Sequence, residues 1–238
     1  MAALTLPHTF EHESASVAVE YGNFAETANG TIALHADALK RGDAGLKVTT
    51  SAYGGYGRVK TDTFTVAAGE TVWIGQWVNQ AVFHEGGEAV SMSYGPYLRS
   101  PNNMVCGIQF NGYPRVPGSL NFGYRTTSDV VVDNVLTTTA ATWYWMVISA
   151  TRGTDGGSDG AYTFSVSADG TPNVVSNLTG KNNYAGMDGA LYVHNGIWTY
   201  GHVGHVVYFD DLVITKTAWP SPPASASPGN SRMLLGVG

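Results

Sequence analysis

The sequence predicts an all-β chain folded as a two-sheet antiparallel sandwich, and three observations lead there. Runs of five to ten residues rich in Val, Thr, Ile and aromatics are punctuated by Gly, Asn, Asp or Pro along most of the length. Helix signals are nearly absent; the segment Leu34 to Lys40, LHADALK, reads either as one short helix that Gly42 would end or as a strand followed by a turn. Glycine stands at 30 of 238 residues, nearly twice the usual share of roughly 7%, which suits a chain of many tight turns.

Taken in order, the expected strands are Ser16–Tyr21, Thr31–Leu34, Gly45–Thr50, Gly57–Val66, Thr71–Gln80, Ala89–Tyr94, Met104–Asn111, Ser119–Tyr124, Val130–Asp133, Thr142–Arg152, Ala161–Ala168, Leu191–His194 and Val203–Lys216. Two turns read as hairpins: Val66-Ala-Ala-Gly-Glu-Thr71, and Thr154-Asp-Gly-Gly-Ser-Asp-Gly160. After Ala218 the composition changes. WPSPPASASP, Trp219 to Pro228, is too rich in Pro to join a sheet and reads as an extended, partly polyproline segment before an apolar end, MLLGVG. The chain thus divides into a sandwich over residues 1–218 and an extended tail over 219–238, in which Trp219, Met233, Leu234 and Leu235 are candidate docking residues.

Charged residues are 13% of the chain against roughly 25% in an average domain, and the net charge is −6. The 12 Lys and Arg are spread along the length without a basic stripe, so a nucleic-acid partner is not expected. No apolar run approaches the ~20 residues of a membrane span, and MAALTLPHTFEHE lacks the basic start and apolar stretch of a secretory signal. The expectation is therefore no membrane insertion and no export by a cleaved signal. The single Cys106 cannot make an internal disulfide and reads as a small buried hydrophobe.

The stretch VGHVVYFDDLVITK, Val203 to Lys216, poses the sharpest question. It has the composition of a central strand yet holds Asp210 and Asp211 side by side. Strict alternation puts Asp210 with Val206, Tyr208, Leu212 and Ile214, and Asp211 with Val207, Phe209 and Val213. At least one carboxylate then enters apolar surroundings, which costs several kcal/mol unless backbone N–H groups, a cation or a proton meet it.

Several stretches resemble the concanavalin A-like, laminin-G-like jelly rolls. Thr142-Trp-Tyr-Trp-Met-Val-Ile148 and Tyr162-Thr-Phe-Ser-Val-Ser-Ala-Asp-Gly170 resemble their tryptophan-led hairpin, and Val207-Tyr-Phe-Asp-Asp-Leu-Val-Ile214 resembles their closing strand. Thr9-Phe-Glu11 and Gly45-Leu-Lys-Val48 resemble the opening strands. The resemblance implies a jelly-roll sandwich whose first and last strands lie side by side. It also implies a structural calcium ion held by Glu11 with Asp210 or Asp211; backbone N–H groups, Lys216 or Arg58 are the alternative partners for these carboxylates.

Catalytic signals are weak. The E-x-D-x-x-E strand of jelly-roll glucanases does not occur, and Glu85 and Glu88 in FHEGGE read as a solvated Gly-rich loop. His8 and His12 lack a helix to share, and His202 and His205 would face opposite sides of a strand. No G-x-S-x-G elbow is present. The expectation is a protein with no catalytic residues that is not an enzyme, while carboxylates converging from distant strands keep a glycan hydrolase or lyase as the second alternative.

Aromatics, 11% of the chain, offer sugar-stacking positions where glycines place them on turns. The candidates for carbohydrate binding are Trp198, Tyr200, Tyr94 and Tyr97, whereas Trp73, Trp77, Trp143 and Trp145 sit in strand patterns and are expected in the core. A lone Cys, a polar low-charge surface, a docking-type tail and no signal together suit a bacteriophage virion structural protein, a capsid decoration or tail appendage. Its expected partners are other virion proteins or copies of itself, and host glycans. A free lectin-like protein is the first alternative.

Overall fold

The computed structural model describes residues 4–10, 25–40, 44–52, 55–81, 91–101, 103–110, 119–125, 130–199 and 204–223. The strands are β1 (His8–Phe10), β2 (Ala25–Ala28), β3 (Gly30–His35), β4 (Gly45–Thr50), β5 (Tyr56–Lys60), β6 (Thr71–Gln80), β7 (Ser91–Ser100) and β8 (Asn103–Phe110). They continue as β9 (Ser119–Arg125), β10 (Val130–Thr137), β11 (Trp143–Thr151), β12 (Gly160–Ser167), β13 (Val174–Lys181), β14 (Tyr192–Thr199) and β15 (Val206–Thr215), with a single-turn helix α1 (Tyr184–Met187) before β14. One sheet runs β13-β12-β11-β6-β15-β4-β3 with β1 also on β15; the other runs β10-β9-β8-β7-β14-β5-β2. All described pairs are antiparallel, and the two sheets make a jelly-roll sandwich.

The core lies between the sheets. Leu46, Val48, Ile74, Val78, Ile148, Phe164, Phe209 and Ile214 from one sheet meet Val59, Leu98, Ile108, Phe122, Val193 and Ile197 from the other. Phe122 stacks on Phe164 at 4.1 Å between ring centres, 11° from parallel. Each such side chain contributes about 1.5–3 kcal/mol on burial, so alternate residues of long strands suffice for a stable sandwich.

Several expectations are corrected. Trp77 and Trp145 are buried, but Val72, Ile74, Val78, Met146 and Ile148 take the core positions of β6 and β11, so the tryptophans alternate onto the outer face. There Trp77, Trp145 and Val147 form a second cluster, flanked by Trp73, Trp143, Val213 and Trp219. The run Gly57–Val66 does not form a hairpin with Thr71–Gln80, because β5 and β6 lie in different sheets and the connection crosses the sandwich. The Thr154–Gly160 turn does join two paired strands, β11 and β12. Of the two readings of Leu34–Lys40, the strand followed by a turn is the one observed: Leu34 lies in β3 and a 3₁₀ turn follows at Ala36–Ala38, whose Asp37 N–H donates to His35 Nδ1 at 3.0 Å. The expected strand Ser16–Tyr21 lies outside the described residues. Two strands, β2 and β13, were not foreseen; β13 is a polar edge strand in which few residues contribute to the core.

The chain after β15 is packed on the sandwich as far as it is described. Trp219 lies 5.3 Å from Trp73, and Trp145 Nε1 donates to the Pro220 carbonyl at 3.1 Å. Gly75 makes room: a Cβ there would stand 2.5 Å from the Trp145 ring and 3.0 Å from Pro220 Cγ. The segment Trp219–Pro220 is therefore a strap across the outer face of the eight-stranded sheet, and the Trp219 ring is taken up within its own chain. Met233, Leu234 and Leu235 lie outside the described residues.

Candidate functional site

The outer face of the seven-stranded sheet is where chemistry-bearing side chains converge. Antiparallel register sets facing residues side by side. Lys60, His194, Tyr97, Gly107 and Gly123 oppose one another across β5, β14, β7, β8 and β9, forming one transverse row. On one side of it Tyr192 faces Arg99; on the other, Arg58 faces Gly196 and Gln109 faces Asn121. The residues between them on each strand, Val59, Val193, Leu98, Ile108 and Phe122, point into the core, so the row points away from it.

Glycines shape this face. A Cβ at Gly107 would stand 2.0 Å from Tyr97 Cδ2, and one at Gly123 would stand 2.1 Å from Met104 Cε. The Tyr97 ring thus lies over Gly107, a close approach that only glycine permits. The ring meets His194 edge-on at 6.5 Å. The Arg99 guanidinium stands 6.0 Å from the Tyr97 ring centre, Lys60 Nζ 5.9 Å from Tyr192, and the Arg58 guanidinium 5.0 Å from Tyr56. Cations beside aromatic faces are held there electrostatically.

The face is layered. Arg58, Lys60, Arg99, Tyr56 and Tyr192 are half-buried, whereas His194, Gln109 and Asn121 beneath them are buried. Among the described residues neither amide atom of Asn121 finds a hydrogen-bond partner, nor does Arg99 Nε. A buried polar group left unsatisfied costs about 1–3 kcal/mol, and such groups in a folded protein ask for an explanation. Burial holds the His194 imidazole far below its usual pKa, to about 3, and Arg99, Arg58 and Lys60 push in the same direction. The imidazole is therefore neutral throughout the physiological range, a proton acceptor ringed by cations.

Of the residues expected to bind carbohydrate, Tyr97 stands at the centre of this face. The backbone register brings Tyr94 opposite Gly196 and Gln109, and Trp198 opposite Tyr56 and Met92, on the same strands; their side chains are outside the described set. Tyr200 lies outside the described residues. Sequence reasoning missed Arg58, Lys60, Arg99, Tyr192, His194, Gln109 and Asn121. Their signal was the alternation of large polar residues with core residues on five strands, and it becomes a site only when those strands are adjacent. Arg58 and Lys60 of β5 come onto one face with Arg99 of β7 because β14 pairs with both strands.

The other candidates distribute elsewhere. Between Asp210 and Val213 the β15–β6 register slips, and Asp211 takes a left-handed φ of +48°. This bulge overturns the strict alternation expected for the strand, since Leu212 and Ile214 now share the core face with Val207 and Phe209. Buried Asp210 accepts from Lys40 N at 2.9 Å and from Asp211 N at 3.0 Å, so each of its oxygens meets a backbone donor. Glu11 lies outside the described residues, and among those described no three His, Cys, Asp or Glu side chains cluster to hold a metal ion. Cys106 is core, its thiol pKa pushed up by burial. His205 is buried 3.3 Å from Gln80 Nε2; Glu85, Glu88, His12 and His202 lie outside the described residues.

No family model and no curated protein matches the sequence. Solved structures do match the fold. An endo-β-1,4-glucuronan lyase from the fungus Trichoderma reesei superposes with a TM-score of 0.64 at 12% identity, over 92% of this chain and 99% of that one. An alginate lyase from Aplysia kurodai gives 0.56 at 11%, over 90% and 100%. A carbohydrate esterase from a Shiga toxin-encoding bacteriophage, phi24B, gives 0.51 at 14%, over 90% and 98%. At such identities the likeness is one of fold. It still corrects the expectation that the chain is not an enzyme: this sandwich, matched over nearly its whole length, is the frame of two polysaccharide lyases and a carbohydrate esterase.

Proposed function

We propose that the chain binds a uronate-containing polysaccharide on the outer face of the seven-stranded sheet and cleaves it by β-elimination. The observation that carries this reading is the convergence of Arg58, Lys60 and Arg99 around neutral His194 and Tyr97. The lyases among the fold's neighbours support it.

Eliminating a 4-linked uronate removes the proton on C5, breaks the C4–O4 bond and leaves a C4=C5 double bond; the abstracted proton goes to a base, and O4 receives one from an acid. The step consumes no water. It needs positive charge or hydrogen-bond donors on the carboxylate, because charge builds there as C5 loses its proton. Arg99 and Lys60 supply the charge, and Asn121 and Gln109 supply donors. His194 is the base, and the Tyr97 hydroxyl returns a proton to O4. Burial is the main cause of the low His194 pKa; a substrate carboxylate would offset only the smaller contribution of Arg99, Arg58 and Lys60.

The test is incubation with polyglucuronate and with alginate, following unsaturated uronate ends by ultraviolet absorbance and mass spectrometry. Unsaturated products support the reading; binding without new ends would leave a lectin-like protein, and saturated ends a hydrolase. A phage origin for the lyase is a second reading, favoured by the bacteriophage esterase of the same fold. On that reading the chain is a virion component acting on host glycans, and its absence from purified particles by mass spectrometry would remove it.

A further inference from the structure

The outer face of the other sheet carries a second feature that the proposed reaction does not use. Trp143, Asn79, Tyr208 and Lys47 oppose one another across β11, β6, β15 and β4, so they form one row. The row continues the tryptophan stripe of Trp145, Trp77 and Trp73 along the same face. The strap covers the far end of that stripe, with Trp219 on Trp73 and Pro220 against Trp145.

The strap shows the kind of contact this face makes. A saturated ring, that of Pro220, sits beside an indole, and its carbonyl oxygen accepts the indole N–H. A pyranose offers the same two things, C–H groups for an aromatic face and oxygens for polar hydrogens. At the other end Trp143 and Tyr208 are half-buried, their ring centres 6.4 Å apart and 31° from parallel. Asn79 stands between them, 6% exposed, and its Oδ1 has no hydrogen-bond partner among the described residues. Lys47 Nζ lies 5.8 Å from the Tyr208 ring but is bonded to Asp37 at 3.0 Å, so the row carries no surplus charge.

We propose that the Trp143–Asn79–Tyr208 row is a second saccharide-binding surface, selective for uncharged pyranose units, with Asn79 Oδ1 accepting from a sugar hydroxyl. It lies on the sheet opposite the uronate face and does not depend on the lyase reading. A chain with both surfaces would hold a heteropolysaccharide by its neutral units on one side while its acidic units are engaged on the other.

The experiment is affinity electrophoresis of the full chain in gels containing hydroxyethylcellulose, galactomannan or polyglucuronate, done in parent and Arg99→Ala backgrounds. We expect retardation by at least one neutral polymer, about tenfold weaker affinity in Trp143→Leu and in Tyr208→Leu, and retention in Tyr208→Phe, which keeps the ring. Arg99→Ala should leave neutral retardation intact and weaken that by polyglucuronate. Melting temperatures identify any variant that fails to fold; Asn79→Ala, which leaves both rings in place, then substitutes for it with the same expected loss. Absence of retardation by both neutral polymers, or equal retardation of folded ring and Asn79 variants, would overturn the proposal, whatever the outcome for cleavage.

Discussion

Replacing His194 with Gln should change how stability depends on pH, and the size of the change follows from its environment. An unfolded His titrates near 6.5, whereas burial and three neighbouring cations hold the folded imidazole at about 3. Between those values the unfolded chain binds a proton that the folded chain does not, so stability falls as pH drops from about 6.5 toward 3. Each pH unit in that window is worth about 1.4 kcal/mol, so by pH 4 the parent has lost about 3 kcal/mol through this residue alone. Above pH 7 the contribution is fully retained. His194→Gln keeps a buried polar side chain of similar reach but cannot take the proton. Urea denaturation at pH 7 and pH 4 measures both proteins, and the carboxylates common to the two cancel in the difference. The parent should lose about 3 kcal/mol more than the variant over that interval. Equal losses would show that His194 is not held neutral by its surroundings, and the case for it as the base would fall with that result.

Three further outcomes are expected. Arg99→Ala should lower the rate of unsaturated-end formation on polyglucuronate about 10²-fold, the usual cost of removing a charge-stabilising donor; an unchanged rate would take Arg99 out of the site. Gly107→Ala should displace the Tyr97 ring, because the added methyl would stand 2.0 Å from Cδ2, with a stability cost of about 1–3 kcal/mol and weaker polyuronate retention; a variant as stable and as active as the parent would show that the ring has room to move. Excess EDTA should leave the melting temperature unchanged, since Asp210 accepts from two backbone N–H groups, and a fall of several degrees would reinstate a calcium ion at this strand.

Much of the fold was legible because strand periodicity is local. Thr71–Gln80 and Gly45–Thr50 are strands over the residues that their alternation marks, Ser119–Arg125 differs from expectation by one residue at one end, and Trp143–Thr151 by one residue at each end. The strand β13 was illegible for the converse reason: VVSNLTGK is an edge strand held by its ladder to β12, with little apolar alternation to announce it. The β15 bulge was illegible too. A run of alternating residues does not reveal where one extra residue is inserted, and here the insertion changes which face every later side chain takes.

The sequence by itself determined the class of fold, since turn residues and period-two runs leave a chain of this composition little but a β sandwich. It also determined that at least one of Asp210 and Asp211 had to be satisfied inside a strand, because the cost of an unpaired buried carboxylate does not depend on topology. Which strands are neighbours was decided only in three dimensions. Lys60, Tyr97 and His194 lie on three separate segments, and no local rule joins them until β14 pairs with β5 on one side and β7 on the other. The same holds for the tryptophans. Their strands were evident, but whether they face the core or form an outer surface under a proline strap depended on the other sheet and on where the chain turns after Thr215.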